Sequence, residues 1–182
     1  MDLKNLTLPL SISEIDFRIQ SINRGGYATI LAYKDARVDM NRLDDVVGAE
    51  NWARDHKEVK GVVYGGIGIY IKDRWVWKWD AGTESFTEKQ KGEASDSFKR
   101  AGFNWGIGRE LYDYPIINVK LFADEFEIKK DNSGRERAFA TWNLKLKEWI
   151  WFSQFNSDDK ISYLAAKDQN GKKRYEWGTY IK

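Results

Sequence analysis

The chain has 182 residues, 42% of them apolar and 32% charged, with 30 Lys plus Arg against 28 Asp plus Glu, no Cys and a single His. That size suits one domain able to bury roughly 70% of its unfolded surface. Without cysteine there is no disulfide framework, thiolate nucleophile or zinc–thiolate site, and His56 alone cannot furnish a His-rich metal cage.

No apolar run approaches the ~20 residues that span a bilayer, and residues 1–10 lack the cationic start and long apolar centre of a signal peptide. The expectation is a soluble, cytoplasmic protein with no membrane partner. Net charge is +2, made of −1 over residues 1–114 and +3 over residues 115–182, so an anionic partner has to be met by a local patch. Nine Trp, nine Tyr and nine Phe are the unusual feature, and such rings fill cores, join subunits or stack on bases and sugars.

In chain order, Ile15, Phe17 and Ile19 alternate with Asp16, Arg18 and Gln20. The segment Asn23-Arg24-Gly25-Gly26 then precedes residues 27–33, the pattern of a two-strand hairpin around a glycine turn. Over residues 37–47 the period becomes helical, with Met40, Leu43 and Val47 on one stripe and Gly48 as a C-cap. Trp52 and a charged stretch to Lys60 lead into the β-branched, glycine-spaced run 62–71. A tight turn at Lys72-Asp73 enters a second strand, residues 74–80. Period-two geometry puts Trp75, Trp77 and Trp79 on one of its faces and Val76 and Lys78 on the other. Gly65, Gly66 and Gly68 within the first of these strands mark a bend or a close backbone approach. Ala94, Phe98, Ala101 and Trp105 recur at helical spacing, giving a long helix over about residues 87–105 with Thr83 or Thr87 as cap.

Beyond Pro115 the pattern is mostly strand. Residues 116–122 form one; residues 137–152 hold one or two, with Ala140, Trp142, Leu144 and Leu146 alternating; residues 161–166 pair across Asn170-Gly171 with residues 173–177. The fold class expected is α+β: a curled antiparallel β-sheet meander packed on a central long helix, a β-β-β-α core, with a mostly β C-terminal extension.

Two stretches carry a resemblance. One runs from Tyr27-Ala28-Thr29-Ile30 through Lys34-Asp35-Ala36-Arg37-Val38-Asp39-Met40-Asn41-Arg42-Leu43-Asp44-Asp45-Val46-Val47-Gly48 to Asn51-Trp52. The other is Lys91-Gly92-Glu93-Ala94-Ser95-Asp96-Ser97-Phe98-Lys99-Arg100-Ala101-Gly102-Phe103-Asn104-Trp105 and on to Tyr112. In this order, with a hairpin between them, they resemble the phage Sak-type single-strand annealing proteins of the Rad-fifty-two-like superfamily, a group that includes the bacterial DdrA repair proteins. The resemblance covers residues 15–115. Within a single domain of residues 1–182 it makes 15–115 an annealing core and 116–182 a β-rich C-terminal extension.

It implies a protein that is not an enzyme, needs no cofactor and hydrolyses no nucleotide, and that binds single-stranded DNA as a homo-oligomeric ring or helical filament in phage recombination or repair. A host single-strand binding protein is a candidate partner of the extension. The residues it carries over are Arg37 at the start of the first helix and Lys99 and Arg100 in the long one. A further basic position one turn on is Phe103 here, either a lost contact or one replaced by stacking. Lys72 and Arg74 in the tight turn resemble a second, outer basic strip, and Arg109 joins them by position alone.

Each residue also has a plainer role. Arg100 stands four residues after Asp96 and can form a surface pair, and a charged turn at Lys72 and Arg74 is commonplace. Trp75, Trp77 and Trp79 make a core face, a subunit interface or a base-stacking platform, and Trp105, Trp142, Trp149, Trp151 and Trp177 suit core or inter-subunit contacts. Two other functions fit parts of the sequence. An aromatic-rich carbohydrate-binding β module would use the Trp75–Trp79 face. A Mg²⁺-dependent nuclease would draw on Asp39, Asp44 and Asp45, or on Glu93, Asp96, Glu110 and Asp113, although these carry no nuclease signature. No Walker pattern is present.

Overall fold

The computed structural model describes residues 2–82 and 89–181, with backbone alone for residues 89–91 and 93. The sequence-based caps Thr83 and Thr87 lie outside the described residues. In chain order the elements are β1 Asp16–Ile22, β2 Tyr27–Tyr33, α1 Ala36–Val47, β3 Trp52–Val59, β4 Val62–Ile71, β5 Arg74–Ala81, α2 Lys89–Trp105, β6 Ile117–Lys120, β7 Phe126–Lys130, β8 Glu136–Ala140, β9 Ile150–Phe155, β10 Ile161–Lys167 and β11 Lys173–Gly178. The protein is thus mixed α/β and mostly strand. Among the described residues no helix is long and apolar enough to cross a membrane.

The chain forms two compact units. The first comprises residues 1–14 and 34–109, and the second residues 15–33 and 110–182. The boundaries interleave, so the hairpin β1–β2 groups with the C-terminal strands.

In the first unit, β3, β4 and β5 form an antiparallel sheet in that order, and α2 packs on β4 and β5. Alternation along β4 sends Ile67 and Ile69 into a core with Leu43 and Val47 of α1, Phe98, Ala101 and Trp105 of α2, and Leu6 and Ile107. Gly65 makes the helix approach possible, because a Cβ there would come within 2.7 Å of the backbone at Ser97 and Phe98. The Trp105 indole N–H donates to the Ile67 carbonyl at 2.9 Å, a side-chain tie from helix to sheet. β4 and β5 turn through Lys72 and Asp73, both at positive φ (48° and 62°), the backbone of a two-residue hairpin with primed-turn twist.

β3 is a strand that the sequence pattern left unassigned. It is an edge strand exposed from Arg54 onward, so it carries charges on both faces and shows no apolar alternation. His56 lies on it, its Nε2 3.3 Å from the Ala94 carbonyl.

In the second unit, β1, β2 and β6 form one antiparallel sheet, β9, β10 and β11 another, and β7–β8 a hairpin closed over Asn132-Ser133-Gly134. Phe17 stacks on Trp151 with centroids 3.7 Å apart. Arg174 is buried between the rings of Phe122 and Trp149 and forks onto Glu125 at 2.6 and 2.8 Å, with Asp168 3.5 Å away. The expected strand through Ala140, Trp142, Leu144 and Leu146 ends at Ala140. Thr141 and Asn143 both donate to the Asp124 carbonyl and fold the chain into a turn, leaving Trp142 exposed beneath the Lys145 ammonium. Of the other C-terminal indoles, Trp149 is buried and Trp177 exposed.

Candidate nucleic-acid interface

All five carried-over cations lie in the first unit. α1 begins where Asp35 accepts the Arg37 backbone N–H at 2.9 Å, an N-cap that fixes the first turn. The same carboxylate accepts from Arg37 Nε at 2.8 Å. Arg37 is 81% exposed along its side chain, so this pairing contributes little stability. Hydrogen bonding from Arg37, with a smaller contribution from the Lys99 ammonium, holds the Asp35 carboxyl below its ordinary range. Asp35, at the positive end of α1, thus pairs directly with Arg37 and feels the Lys99 charge of α2 at longer range.

Behind them lies a buried pair that sequence reasoning missed. Lys34 and Asp39 are 2% and 0% exposed, and Lys34 Nζ donates to Asp39 Oδ1 and, at 3.4 Å, to the Lys99 carbonyl. The ammonium also lies 4.3 Å from the centroid of Phe103, so that ring stacks on a cation of the protein itself. Gly102 allows the approach, since a Cβ there would collide with the Asp39 carboxylate. Burial outweighs the Lys34 ammonium and pushes the Asp39 carboxyl up to about 6. Among the described residues Asp39 Oδ2 has no hydrogen-bond partner. The pair joins the start of α1 to the backbone of α2 at Lys99.

Arg100 stands about 100° further round the helix than Lys99. Its Nε donates to Asp80 of β5 at 3.2 Å, and Asn104 reaches the same carboxylate at 3.2 Å. Lys72 and Arg74 are exposed at the β4–β5 turn. Arg109 caps a helix instead of facing outward unpaired, for its guanidinium donates to the carbonyls of Phe103 and Asn104 at 2.8–3.2 Å at the end of α2. Lys78 joins it there, donating to the Asn104 carbonyl at 2.8 Å, and burial followed by the nearby Arg109 charge depresses its ammonium.

The chain is similar to a single-stranded DNA-binding protein. That relative is DdrA of Deinococcus radiodurans, 30% identical over 115 residues, which are 62% of this chain and 55% of the relative. The chain thus spans about half the length of the curated relative it matches. No protein-family model matches the chain.

Asp39 and Asp44, among the carboxylates that a Mg²⁺ site would need, are engaged elsewhere. Asp39 is paired with Lys34, and Asp44 accepts the Trp52 indole N–H at 2.6 Å. Among the described residues no group of three or more His, Asp or Glu side chains is placed to hold a metal ion. Glu93 lies outside the described side chains.

The three indoles of β5 do not pack under α2. Register pairs Trp79 with Gly66, Trp77 with Gly68 and Trp75 with Tyr70, on the sheet face opposite the core residues Ile67 and Ile69. Trp75 is 45% exposed and Tyr70 40%.

Proposed function

We propose that the chain binds single-stranded DNA through the phosphate backbone and promotes annealing of complementary strands without nucleotide hydrolysis. The observation that carries this reading is the 115-residue likeness to a single-stranded DNA-binding protein. The geometry supports it chemically. Arg37, on the first turn of α1, and Lys99, whose charge reaches the same N-cap, suit phosphates, the sequence-blind contacts that such binding requires. Arg100, turned toward β5, and Lys72 and Arg74 on the hairpin turn are further backbone contacts in this reading.

A protomer of net charge +2 needs many copies to build a long footprint. Assembly into a ring or helical filament, membership of the Sak-type Rad-fifty-two-like group with its curled sheet on a central helix, a role in phage recombination, and recruitment of a host single-strand binding protein complete the proposal.

The test is an anisotropy titration of a fluorescent dT oligonucleotide against its duplex, with mass measured in parallel. The expected result is preferential single-strand binding by a species well above 21.3 kDa, and faster pairing of complementary oligonucleotides that stay intact. A monomer that ignores unpaired strands at low ionic strength contradicts the proposal, as does metal-dependent degradation of the oligonucleotide.

A further inference from the structure

We propose that the outer face of β5 is a stacking platform for unpaired nucleobases, separate from the Arg37–Lys99 phosphate contacts. The proposal rests on the single-strand binding proposed above and adds how bases, not phosphates, are held.

Trp75, Trp77 and Trp79 form a continuous row, with centroids 6.2 and 5.4 Å apart and ring planes inclined by 33° and 22°. Tyr70 extends the row across the strand, 5.5 Å from Trp75. The floor beneath is glycine. A Cβ on Gly66 would lie 2.6–2.7 Å from three consecutive ring atoms of Trp79, and one on Gly68 would lie 2.6–2.8 Å from three of Trp77. Near-equal distances to adjacent ring atoms mean that each glycine lies under the face of an indole, not at its edge. The rings of Trp77 and Trp79 are therefore laid flat on the backbone with their opposite π-faces turned away from the sheet, that of Trp79 beneath the Lys57 ammonium.

Glycine in a strand interior weakens the strand, and here two of them make room for flat rings. Core packing does not explain the arrangement, since the face opposite carries the core and Trp75, Tyr70, Val59 and Val62 on this face are exposed. Cations lie on and near the row. The Lys57 ammonium lies over the Trp79 ring, 4.1 Å from its centroid, and Lys72 sits in the turn that leads into β5. Asp55, on the same face, accepts the His56 backbone N–H at 2.8 Å.

Flat aromatic surface with ammonium groups on and near it fits planar bases on an anionic strand better than it fits neutral sugar rings. The spacing carries a further consequence. Rings 5.4–6.2 Å apart exceed the ~3.4 Å rise of stacked bases in a duplex, so a strand lying on the row is stretched and its bases are separated. β5 is an edge strand of its sheet, so a chain can run along it.

The experiment compares a dT oligonucleotide with an abasic oligonucleotide of the same length, which keeps the phosphates and lacks the bases, for wild type, Trp75→Ala and Trp77→Ala/Trp79→Ala. Wild type is expected to prefer dT, and the preference is expected to fall about tenfold per ring removed while abasic binding and the salt dependence stay unchanged. Trp75→Ala, at the most exposed ring, keeps the comparison informative if the double variant fails to fold.

A wild type that binds both oligonucleotides alike, or variants that keep the full preference for dT, overturns the platform and leaves backbone binding standing. Variants that change the mass of the protein but not its base preference assign the face to a subunit contact and likewise overturn it. Binding of a soluble glucan, lost in the variants, overturns it in favour of a carbohydrate surface. Failure of wild type to bind either oligonucleotide overturns the underlying reading as well.

Discussion

Lys34 and Asp39 give the sharpest energetic expectation. Lys34→Met keeps a long unbranched chain in the slot bounded by Gly102, Gly108 and Phe103 but leaves the 0% exposed Asp39 carboxylate without its ammonium. Breaking a buried pair on one side costs about 3–5 kcal/mol, whereas replacing both charges with apolar groups is commonly neutral or stabilising by ~1–4 kcal/mol. Lys34→Met is expected to lose the former amount at neutral pH, and Lys34→Met/Asp39→Leu is expected to recover it. The loss should shrink near pH 5, because the Asp39 carboxyl, already raised to about 6, rises further without Lys34 and takes up a proton. Urea unfolding at both pH values reads all three quantities. A single variant losing under ~1 kcal/mol at neutral pH, or a double variant no better than the single, refutes the reasoning.

The wild type has its own pH signature. Between the unfolded carboxyl near 3.8 and the folded value of about 6, the native state holds a proton that the unfolded chain has released. The Asp39 contribution to stability therefore falls as pH rises through that window, by about 3 kcal/mol at most, and is level above it. Urea midpoints of wild type and Asp39→Asn over this range should diverge accordingly, and parallel profiles contradict the assignment. In the second unit, Arg174→Met strands Glu125 and Asp168 in the interior and is expected to cost about 3–5 kcal/mol in urea unfolding; a loss under ~1 kcal/mol contradicts the buried fork. Gly66→Ala drives a methyl into the face of Trp79 and should cost about 1–3 kcal/mol while altering the near-ultraviolet circular dichroism of the coupled indoles. Unchanged stability and spectrum argue against the flat rings.

The strongly periodic elements were legible in the sequence. Leu43 and Val47 mark the buried stripe of α1, Phe98, Ala101 and Trp105 that of α2; β5 follows its alternation, and β4 spans the β-branched, glycine-spaced run of residues 62–71. Of the elements that escaped, β3 had no apolar period to show and β7 offered only Phe126 and Ile128 around Glu127. β3 and β7 are charged strands with exposed faces, and the false alternation after Ala140 was broken by side-chain bonds from Thr141 and Asn143.

At the site, only the family resemblance pointed to Arg37 and Lys99, and that both act on the Asp35 carboxyl depends on how α1 packs on α2. Asp39 offered a signal, for it stands four residues before Leu43 on the buried stripe, where an acid requires a partner. Nothing in the pattern names that partner as Lys34, five residues away across the start of the helix. The glycine floor was visible as a run of glycines within a strand, and only the register shows that Gly65 serves the helix while Gly66 and Gly68 serve the indoles.

The most direct measurement is the salt dependence of single-strand affinity for wild type and Arg37→Ala/Lys99→Ala. With each phosphate contact on a single strand worth a slope of about −0.7 in log K against log salt, loss of two contacts should flatten the slope by about 1.4 per protomer and weaken binding to all sequences alike. An unchanged slope and affinity in the variant, or a wild type that binds no unpaired strand at low ionic strength, contradicts the account.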